Sequence, residues 1–499
     1  MTPPPAFIAP SCHVGRAPFP GSRIQPTHPF GNHGVAVPCR IRDGNPDRPW
    51  GSLATMFLPL RNRGSATMAR ALGVAWVVVA TLMPMLTAQT PSARRSAPLS
   101  YGPPAKVGVS SERLARIDRM CEEAVREGQV PGVVALVARH GRIVYHKAFG
   151  MADNEAGRTL QRDDIFRIAS QSKAITATAV MMLWEQGLFR LDDPISRWIP
   201  EFKNPQVLKT YDEAAGTWTS EPARREITLR DLLTHTSGLG YGVIDGDARF
   251  RKMYEKAGVV DLFTTDAVTI GESVRRLAQL PLHHHPGEKY TYGEGLDVLG
   301  RFIEVVSGQP FDAFLRDRLF GPLGMKDTGF YLPASKAARL VPVQKPEGSK
   351  WVRYPVTFYD PDYPVKGARS FFSGGAGLCS TARDYATFLQ MYLNGGEIHG
   401  VRILSRTTID VIMAEQVARN LWGGDQRHYG LAFGVLDAKG AQRGGDGSEG
   451  TFDWGGYFNT QYFADPKEGT IGILMKQTQG GNDSTAWRFR LLVGQSIDD

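Results

Sequence analysis

Strand-forming segments stand near both ends of the body of this chain, with long helical and loop-rich stretches between them. Towards the front, GVVALVAR and RIVYHKAFG are joined at His140-Gly141, which is a β-hairpin signal. Towards the end, strand signals return at LAFGVL, GTFDWGG, NTQYFADP and TIGILMKQ. This order predicts an α/β fold of the α+β type, in which both chain ends build one antiparallel sheet flanked by helices. The middle, about residues 170–330, would form a helical subdomain at the sheet edge.

Two further helices are predicted beside this sheet. The first runs from Ser110 to about Glu127, opens with a Ser-Ser-Glu-Arg start signal and carries apolar residues at helical spacing. The last runs from Ser484 to Ile497. These elements assign residues 107–499 to one folded domain, and the Pro-, Ser- and Ala-rich residues 89–106 to a linker in front of it.

The beginning of the chain has a different composition from the rest. Residues 1–67 hold twelve of the 33 prolines and show no apolar periodicity, so we expect a disordered extension or a start-site artefact. From Met68 the sequence reads MARALGVAWVVVATLMPMLTAQ, with a charged start, an apolar stretch and a small-residue cleavage site at Ala88. This pattern predicts a signal peptide over residues 68–88, with translation starting at Met68 or Met56.

The predicted signal peptide implies an exported protein, either periplasmic or secreted. Its apolar stretch of about sixteen residues is short for a helix that spans a bilayer. That length favours cleavage over the alternative, a permanent membrane anchor. We therefore expect no stable membrane insertion after cleavage.

The net charge of +8 is concentrated in the same leading region. Residues 1–88 carry eight Arg against only Asp43 and Asp47, so this segment holds six of the eight net positive charges. The remainder of the chain is close to neutral and offers no basic face. Nucleic acid is therefore not expected as a partner.

One short segment, RIASQSKAITATAV, carries a candidate nucleophile and base. It places Ser170 at the start of an apolar helical pattern, with Lys173 three residues later on the same face. A lysine that is partly buried near a helix N-terminus loses its proton more easily and can act as a base for a serine. The alternative is that Ser170 only caps the helix. The Ser-x-x-Lys spacing alone does not decide between them.

The flanking segments resemble the serine β-lactamase/penicillin-binding protein superfamily, and within it the class C β-lactamase-related branch and the family VIII carboxylesterases. The matching runs are LDDPISRWIPEF, ITLRDLLTHTSGL, PGEKYTYGEGLDVLGRFIEVVSG, LFGPLGMKDTGF and GGAGLCSTARDYATFLQMYLNGG. The resemblance covers about residues 107–495. It implies the β-lactamase/transpeptidase-like fold, a serine nucleophile at Ser170 with Lys173 as its partner, and no metal or organic cofactor.

The family's second motif is Tyr-x-Asn, and three tyrosines compete for it. Tyr392 and Tyr457 fit the letters, but Tyr292 has the matching context, PGEKYTY before it and DVLGRFIE after it. By this resemblance, we assign the general acid/base role to Tyr292. Glu294 occupies the asparagine position, where the family recognises a substrate amide. An ionised Glu cannot donate a hydrogen bond, which argues against amide recognition and leaves Glu294 as a predicted substrate contact.

The family's third motif, Lys-Thr-Gly or His-Thr-Gly, is replaced by Trp454-Gly455-Gly456. The family's cation pairs with a β-lactam carboxylate, whereas Trp454 offers an uncharged aromatic wall suited to an ester. The two glycines allow a ligand to approach the strand closely. By resemblance, the backbone N–H groups of Ser170 and Tyr457 form the oxyanion hole.

The sequence therefore predicts an exported serine hydrolase that forms an acyl-enzyme, most simply a carboxylesterase for small acyl esters. Which of Lys173 and Tyr292 is the general base stays open. The alternatives are a β-lactamase or D-amino-acid peptidase, or a non-catalytic binding module on the same fold.

His283, His284 and His285 do not predict a metal site, because neighbouring residues in a strand face opposite sides. His235 is expected to be a scaffold residue, and candidates for the pocket wall are Tyr241, Trp351, Tyr359, Phe371 and Phe372.

Overall fold

The computed structural model describes residues 98–499. The predicted extension (1–67), the predicted signal peptide (68–88) and the first part of the predicted linker lie outside the described residues. The last part of that linker contains a two-residue strand, Ser100–Tyr101, and the start of a 3-10 helix, Pro104–Val107. These residues therefore already belong to the edge of the folded domain.

Seventeen strands are present in the described part of the chain. They are β1 (Ser100–Tyr101), β2 (Gly132–Arg139), β3 (Arg142–Asp153), β4 (Arg158–Thr159), β5 (Phe166–Arg167), β6 (Gln206–Asp212), β7 (Thr217–Pro222), β8 (Gln344–Glu347), β9 (Lys350–Arg353), β10 (Cys379–Ser380), β11 (Glu397–Ile398), β12 (Val401–Arg402), β13 (Arg427–Tyr429), β14 (Gly434–Leu436), β15 (Phe452–Gly456), β16 (Thr460–Asp465) and β17 (Thr470–Met475).

Nine of these strands form one sheet with the order β1-β3-β2-β17-β16-β15-β14-β13, and β4 pairs with β3. The pairings are antiparallel except for β1 with β3. At the centre, β2 pairs with β17, so that Val137 lies opposite Gly472. This arrangement confirms the predicted antiparallel sheet built from both ends of the chain.

Both faces of the central strand β2 are buried, because helices cover the sheet on both sides. Val133, Ala135 and Val137 belong to one core cluster together with residues of the first and last helices. The alternate residues of the strand, such as Val134 and Leu136, belong to the larger cluster on the opposite face. Successive side chains of a strand point to opposite faces, which explains why GVVALVAR is apolar throughout.

Fourteen α-helices accompany the strands in residues 98–499. They are α1 (Ser111–Arg126), α2 (Ser172–Trp184), α3 (Leu229–Leu233), α4 (Ala248–Ala257), α5 (Ile270–Leu277), α6 (Gly295–Ser307), α7 (Phe311–Leu315), α8 (Gly321–Leu323), α9 (Ala334–Ala337), α10 (Tyr363–Lys366), α11 (Ala382–Leu393), α12 (Arg406–Met413), α13 (Ala438–Gln442) and α14 (Thr485–Gly494).

Helix α2 lies inside the molecule. Every residue from Ser172 to Leu183 is buried, and most of them are apolar or small. A helix that is apolar on all sides packs in a core rather than on a surface. The segment that begins with the Ser-x-x-Lys motif is therefore held by packing along its whole length.

The middle of the chain is less purely helical than the sequence predicts. One hairpin, β6–β7, forms a small sheet of its own within residues 170–330, and a second, β8–β9, does so just after this region. Their strands are largely exposed and carry mixed polar residues, so their alternation gives only a weak signal. Within residues 98–499, no helix is long and apolar enough to cross a membrane.

Candidate active site

Ser170 lies in a single 3-10 turn, Ala169–Gln171, which leads directly into α2. The α-helix itself begins at Ser172, and its N-cap residue, Gln171, makes no side-chain cap. The alternative in which Ser170 caps the helix is therefore wrong. Ala169 has a φ of 44°, a left-handed conformation that is strained for a residue with a side chain. Such strain is typical of positions that present a functional group.

Lys173 occupies the first turn of α2, directly behind the serine. Its Nζ lies 3.4 Å from Ser170 Oγ and donates to the carbonyl oxygen of Gly375 at 2.8 Å. The side chain is buried, with 1% of the residue exposed. The predicted nucleophile and its partner are thus in contact, and the lysine has little freedom to move away.

Tyr292 comes from the loop before α6 and completes this group. Lys173 Nζ lies 4.6 Å from the centroid of its ring. The competing Tyr392 lies on α11, where its hydroxyl hydrogen-bonds with Thr178 Oγ1 at 2.7 Å inside the core. The structure therefore brings together Ser170, Lys173 and Tyr292, and it places Tyr392 elsewhere.

The Trp-Gly-Gly segment forms the end of strand β15, and it passes beside Tyr292. Trp454 Nε1 donates to the Tyr292 hydroxyl at 3.4 Å. A β-carbon on Gly456 would collide with the carbonyl oxygen of Ile168 and the hydroxyl of Thr460. Gly456 thus allows the strand to lie against the chain just before Ser170. This approach is consistent with an oxyanion hole made by Ser170 and Tyr457, whose role stays a prediction.

Gly456→Ala is expected to destabilise the protein by about 1–3 kcal/mol, because the strand or the Ile168 backbone must shift to admit the methyl group. Gly455→Ala is the matched control, since the nearest atom to its β-carbon is the Thr460 carbonyl oxygen at 3.6 Å. Thermal unfolding of the two variants checks this expectation. Equal melting temperatures for both variants would contradict it.

Glu294 does not lie on an open pocket surface. Only 2% of the residue is exposed, and its carboxyl lies with those of Asp261 and Asp297. Burial raises the pKa of Glu294 well above its ordinary value, and the two neighbouring carboxyls act in the same direction. This direction favours a protonated Glu294, which can donate a hydrogen bond, over the ionised form on which the argument against amide recognition rests. Its direct contact with substrate stays a prediction.

His235 is a scaffold residue at this site, as the sequence predicts, although the sequence does not reveal which segment it holds. Its carbonyl oxygen accepts from Thr291 N at 2.8 Å, and its Nδ1 accepts from Gly293 N at 3.3 Å. Both residues on either side of Tyr292 are therefore held by one histidine. Burial, with the nearby Lys173 charge, lowers the pKa of His235 well below its ordinary value, so the neutral ring can accept.

His235→Ala is expected to lower kcat about 10- to 100-fold, because the chain around Tyr292 loses one of its anchors. The buried Gly293 N–H would also lose its acceptor, at a cost of about 1–3 kcal/mol. His235→Asn is the matched variant: asparagine tolerates the φ of 56° at this position and offers an acceptor oxygen. Steady-state kinetics should show the Asn variant closer to the wild type. Equal losses in the two variants would show that the side-chain acceptor is unimportant.

Aromatic residues lie on two sides of the group formed by Ser170, Lys173 and Tyr292. Of the five candidates for the pocket wall, Tyr241 and Tyr359 belong to the apolar cluster that also contains Tyr292 and Tyr457. The other three pack elsewhere: Phe371 and Phe372 lie against the main core, and Trp351 Nε1 donates to the Gly128 carbonyl. On the side of Trp454 the structure adds Trp422, Tyr290 and Tyr429, which the sequence did not single out.

The three consecutive histidines have separate partners. His283 Nε2 lies 3.0 Å from Asp245 Oδ2, and His284 Nε2 lies 2.9 Å from Thr291 Oγ1. In residues 98–499, no group of three or more His, Cys, Asp or Glu side chains is arranged to hold a metal ion.

A sequence model of the beta-lactamase family matches residues 117–495. The chain belongs to the beta-lactamase family. Esterase EstB of Burkholderia gladioli is 36% identical over 387 residues, which cover 73% of this chain and 90% of EstB. Lovastatin esterase of Penicillium rubens is 32% identical over 289 residues, which cover 56% of this chain and 68% of that protein.

Among solved structures, EstCE1, described as a hydrolase with promiscuous acyltransferase activity, matches with a TM-score of 0.65. It is 28% identical, and the match covers 78% of this chain and 98% of EstCE1. These findings confirm the resemblance to the β-lactamase/transpeptidase-like superfamily and to its esterase branch. This beta-lactamase family member is a serine hydrolase.

Proposed function

We propose that this beta-lactamase family member is a carboxylesterase that cleaves small acyl esters through an acyl-enzyme on Ser170. The observation that carries the proposal is the contact of 3.4 Å between Lys173 Nζ and Ser170 Oγ, with the ring of Tyr292 beside the same Nζ. A serine in contact with a buried base is the arrangement that nucleophilic catalysis needs. The named esterases among the relatives support the choice of substrate class.

The reaction takes two steps. Ser170 Oγ attacks the ester carbonyl carbon while its proton passes to the Lys173–Tyr292 pair, and the carbonyl oxygen becomes an oxyanion. The tetrahedral intermediate collapses, the bond to the alkoxy oxygen breaks, and the alcohol leaves with a proton returned by Tyr292. Water then adds to the acyl-enzyme by the same route. The free acid leaves, and Ser170 regains its proton.

The walls of the site favour an ester over a β-lactam. Trp454 stands where the family's cation would pair with the β-lactam carboxylate, and its indole contacts Tyr292 instead. An aromatic ring gives apolar contact area but no charge to hold a carboxylate. A neutral ester has no carboxylate, so the replacement of the cation by Trp454 removes no interaction with it. A β-lactam or a D-amino-acid peptide would lose the ion pair that holds its carboxylate.

A pair of assays tests this choice. We expect measurable hydrolysis of p-nitrophenyl acetate and butyrate, and nitrocefin turnover at least about 100-fold slower, since the missing ion pair is worth a few kcal/mol. Fast nitrocefin turnover without ester cleavage would contradict the proposal and favour a β-lactamase. No turnover of either substrate, with no labelling of Ser170 by a fluorophosphonate, would favour a non-catalytic binding module.

A second candidate activity is acyl transfer to an alcohol. It is favoured by the aromatic residues beside the serine, because Tyr292, Trp454 and Tyr457 are each partly exposed and offer apolar surface to an incoming alcohol. EstCE1 is described as having promiscuous acyltransferase activity. Product analysis with vinyl butyrate and benzyl alcohol tests it: benzyl butyrate should form alongside free acid, and free acid alone would exclude it.

We also propose that the enzyme is exported. The support is the sequence from Met68 to Gln89, with its charged start, apolar stretch and cleavage site. N-terminal sequencing of the protein from its native host should find a mature chain that begins near Gln89. A mature chain that retains residues 1–67 would contradict this expectation.

A further inference from the structure

The position of Lys173 depends on a backbone turn outside its own helix. Lys173 Nζ lies 2.8 Å from the carbonyl oxygen of Gly375 but 3.4 Å from Ser170 Oγ. The carbonyl oxygen is therefore the nearer partner of Lys173 Nζ. Because the hydrogen bond to Gly375 is the shorter of the two, a shift of Gly375 should move Lys173 Nζ. Such a shift would change the distance between Lys173 Nζ and Ser170 Oγ.

Gly375 is held in turn by Asp297, in the first turn of α6. Its N–H donates to Asp297 Oδ1 at 3.3 Å. A β-carbon on residue 375 would collide with Asp297 Oδ2 and would lie 3.0 Å from the Tyr241 hydroxyl. The preceding carbonyl, that of Gly374, accepts from Thr176 Oγ1 on α2 at 2.7 Å. The turn is thus fixed between α2 and α6, with the Asp297 carboxyl pressed against it.

We propose that Asp297 is a positioning residue for Lys173, acting through Gly375, and that the Glu294 carboxyl holds Asp297 in the orientation that this requires. The proposal rests on the proposed function, because it concerns the base of that reaction.

Glu294 is placed to orient Asp297. The two residues stand three positions apart at the start of α6, so they share one side of the helix. Three buried carboxyl oxygens in this cluster have no hydrogen-bond donor when all three carboxyls are ionised. They are Asp261 Oδ1, Glu294 Oε1 and Asp297 Oδ2. A proton on one carboxyl supplies the missing donor. Glu294 carries that proton, since burial and its two acidic neighbours raise its pKa well above the ordinary value.

Asp297 is the member of this cluster that interacts electrostatically with Lys173. Burial raises the pKa of Asp297, while the hydrogen bond from Ser373 and the charge of Lys173 act in the opposite direction. A negative Asp297 thus lies near the groups that must take up and release a proton, so removing its charge should change the pH dependence of the reaction. The titratable groups that interact with Lys173 are Tyr241, Tyr292, neutral His235 and Asp297.

Two substitutions of Asp297 separate position from charge. Asp297→Asn keeps an oxygen for the Gly375 N–H but removes the charge, so the pH profile of kcat/KM should move to lower pH by about one unit. Asp297→Ala also removes the acceptor of the Gly375 N–H, so the turn at Gly375 is no longer held by this hydrogen bond. We expect its kcat to fall about 10- to 100-fold with KM changed less than about threefold, because the base is displaced rather than the substrate pocket. Hydrolysis of p-nitrophenyl butyrate across the pH range measures both effects.

Two further comparisons make the test specific. Glu294→Gln retains a donor N–H beside Asp297, so it should lose less kcat than Glu294→Ala. Asp317→Asn is the control for a change of charge, because this aspartate is exposed and pairs only locally with Arg316 among the described residues. Its pH profile should match that of the wild type.

The proposal is overturned if Asp297→Asn keeps the wild-type pH profile and Asp297→Ala keeps the wild-type kcat. If the Ala variant does not fold, the profile of the Asn variant decides alone. Ser170→Ala separates this outcome from failure of the proposed function. An active Ser170→Ala variant removes the proposed function, whereas an inactive one beside unaffected Asp297 variants removes only the role of Asp297.

Discussion

Ser170→Ala is expected to lower kcat for p-nitrophenyl esters by about 10⁴-fold or more, because no other group can form the acyl-enzyme. The protein should remain folded. Ser170 Oγ makes a single contact of 3.4 Å with Lys173 Nζ among the side-chain contacts described, so the free energy of unfolding should change by less than about 1 kcal/mol. Steady-state kinetics and thermal unfolding on one preparation measure the two quantities.

Covalent labelling gives an independent check of the same variant. A fluorophosphonate should label the wild type at one residue, Ser170, and should fail to label Ser170→Ala. Ser172→Ala is the neighbouring control, since this serine is buried and its hydroxyl oxygen accepts from Leu378 N at 3.1 Å. Residual turnover above one part in a hundred in Ser170→Ala would mean that another nucleophile carries the reaction.

Lys173→Met should lower kcat by about 10²- to 10⁴-fold, the usual contribution of a positioned proton acceptor. Methionine keeps most of the volume in a site where 1% of the residue is exposed, so the core around α2 should stay filled. The Gly375 carbonyl would lose its donor at 2.8 Å, at a cost of about 1–3 kcal/mol. Kinetics and thermal unfolding should therefore show a large catalytic loss and a modest loss of stability.

Lys439→Met is the matched control for this prediction. This lysine has a side chain that is 58% exposed and pairs with Asp425 at the surface, so its removal should change neither kcat nor the melting temperature appreciably. Slow but complete labelling of Lys173→Met by the fluorophosphonate would show that Ser170 remains accessible. Wild-type turnover in Lys173→Met would remove lysine from the mechanism.

The arrangement of the sheet could be predicted because its signals are local and strong. Alternating or continuous apolar runs mark β2, β3, β16 and β17, and turn residues separate them. The family and the enzyme class followed from several long runs that agree with one another. The β6–β7 hairpin was missed because its strands are mostly exposed and carry mixed polar residues, which leaves only a weak alternation.

The site itself could be predicted only as far as its motifs reach. The sequence around Tyr292 indicated that this tyrosine lies at the same site as Lys173. The letters of the Tyr-x-Asn motif fit Tyr392 better, although its hydroxyl is buried in the core, because a motif carries no information about burial. The raised pKa of Glu294 could not be predicted for the same reason: it comes from burial and from two acidic neighbours, Asp261 and Asp297. His235 and Asp297 act through backbone groups of other segments, and such contacts leave no pattern in the sequence.

The pairing of β2 with β17 has a consequence for how this polypeptide matures. Val137 faces Gly472, so the middle of the sheet joins segments separated by more than three hundred residues. Contacts between such distant segments form slowly, since a large loop must close first. During synthesis, β2 cannot pair with β17 until the chain has been made up to residue 475. The centre of the sheet is therefore completed only after the last strands have been synthesised.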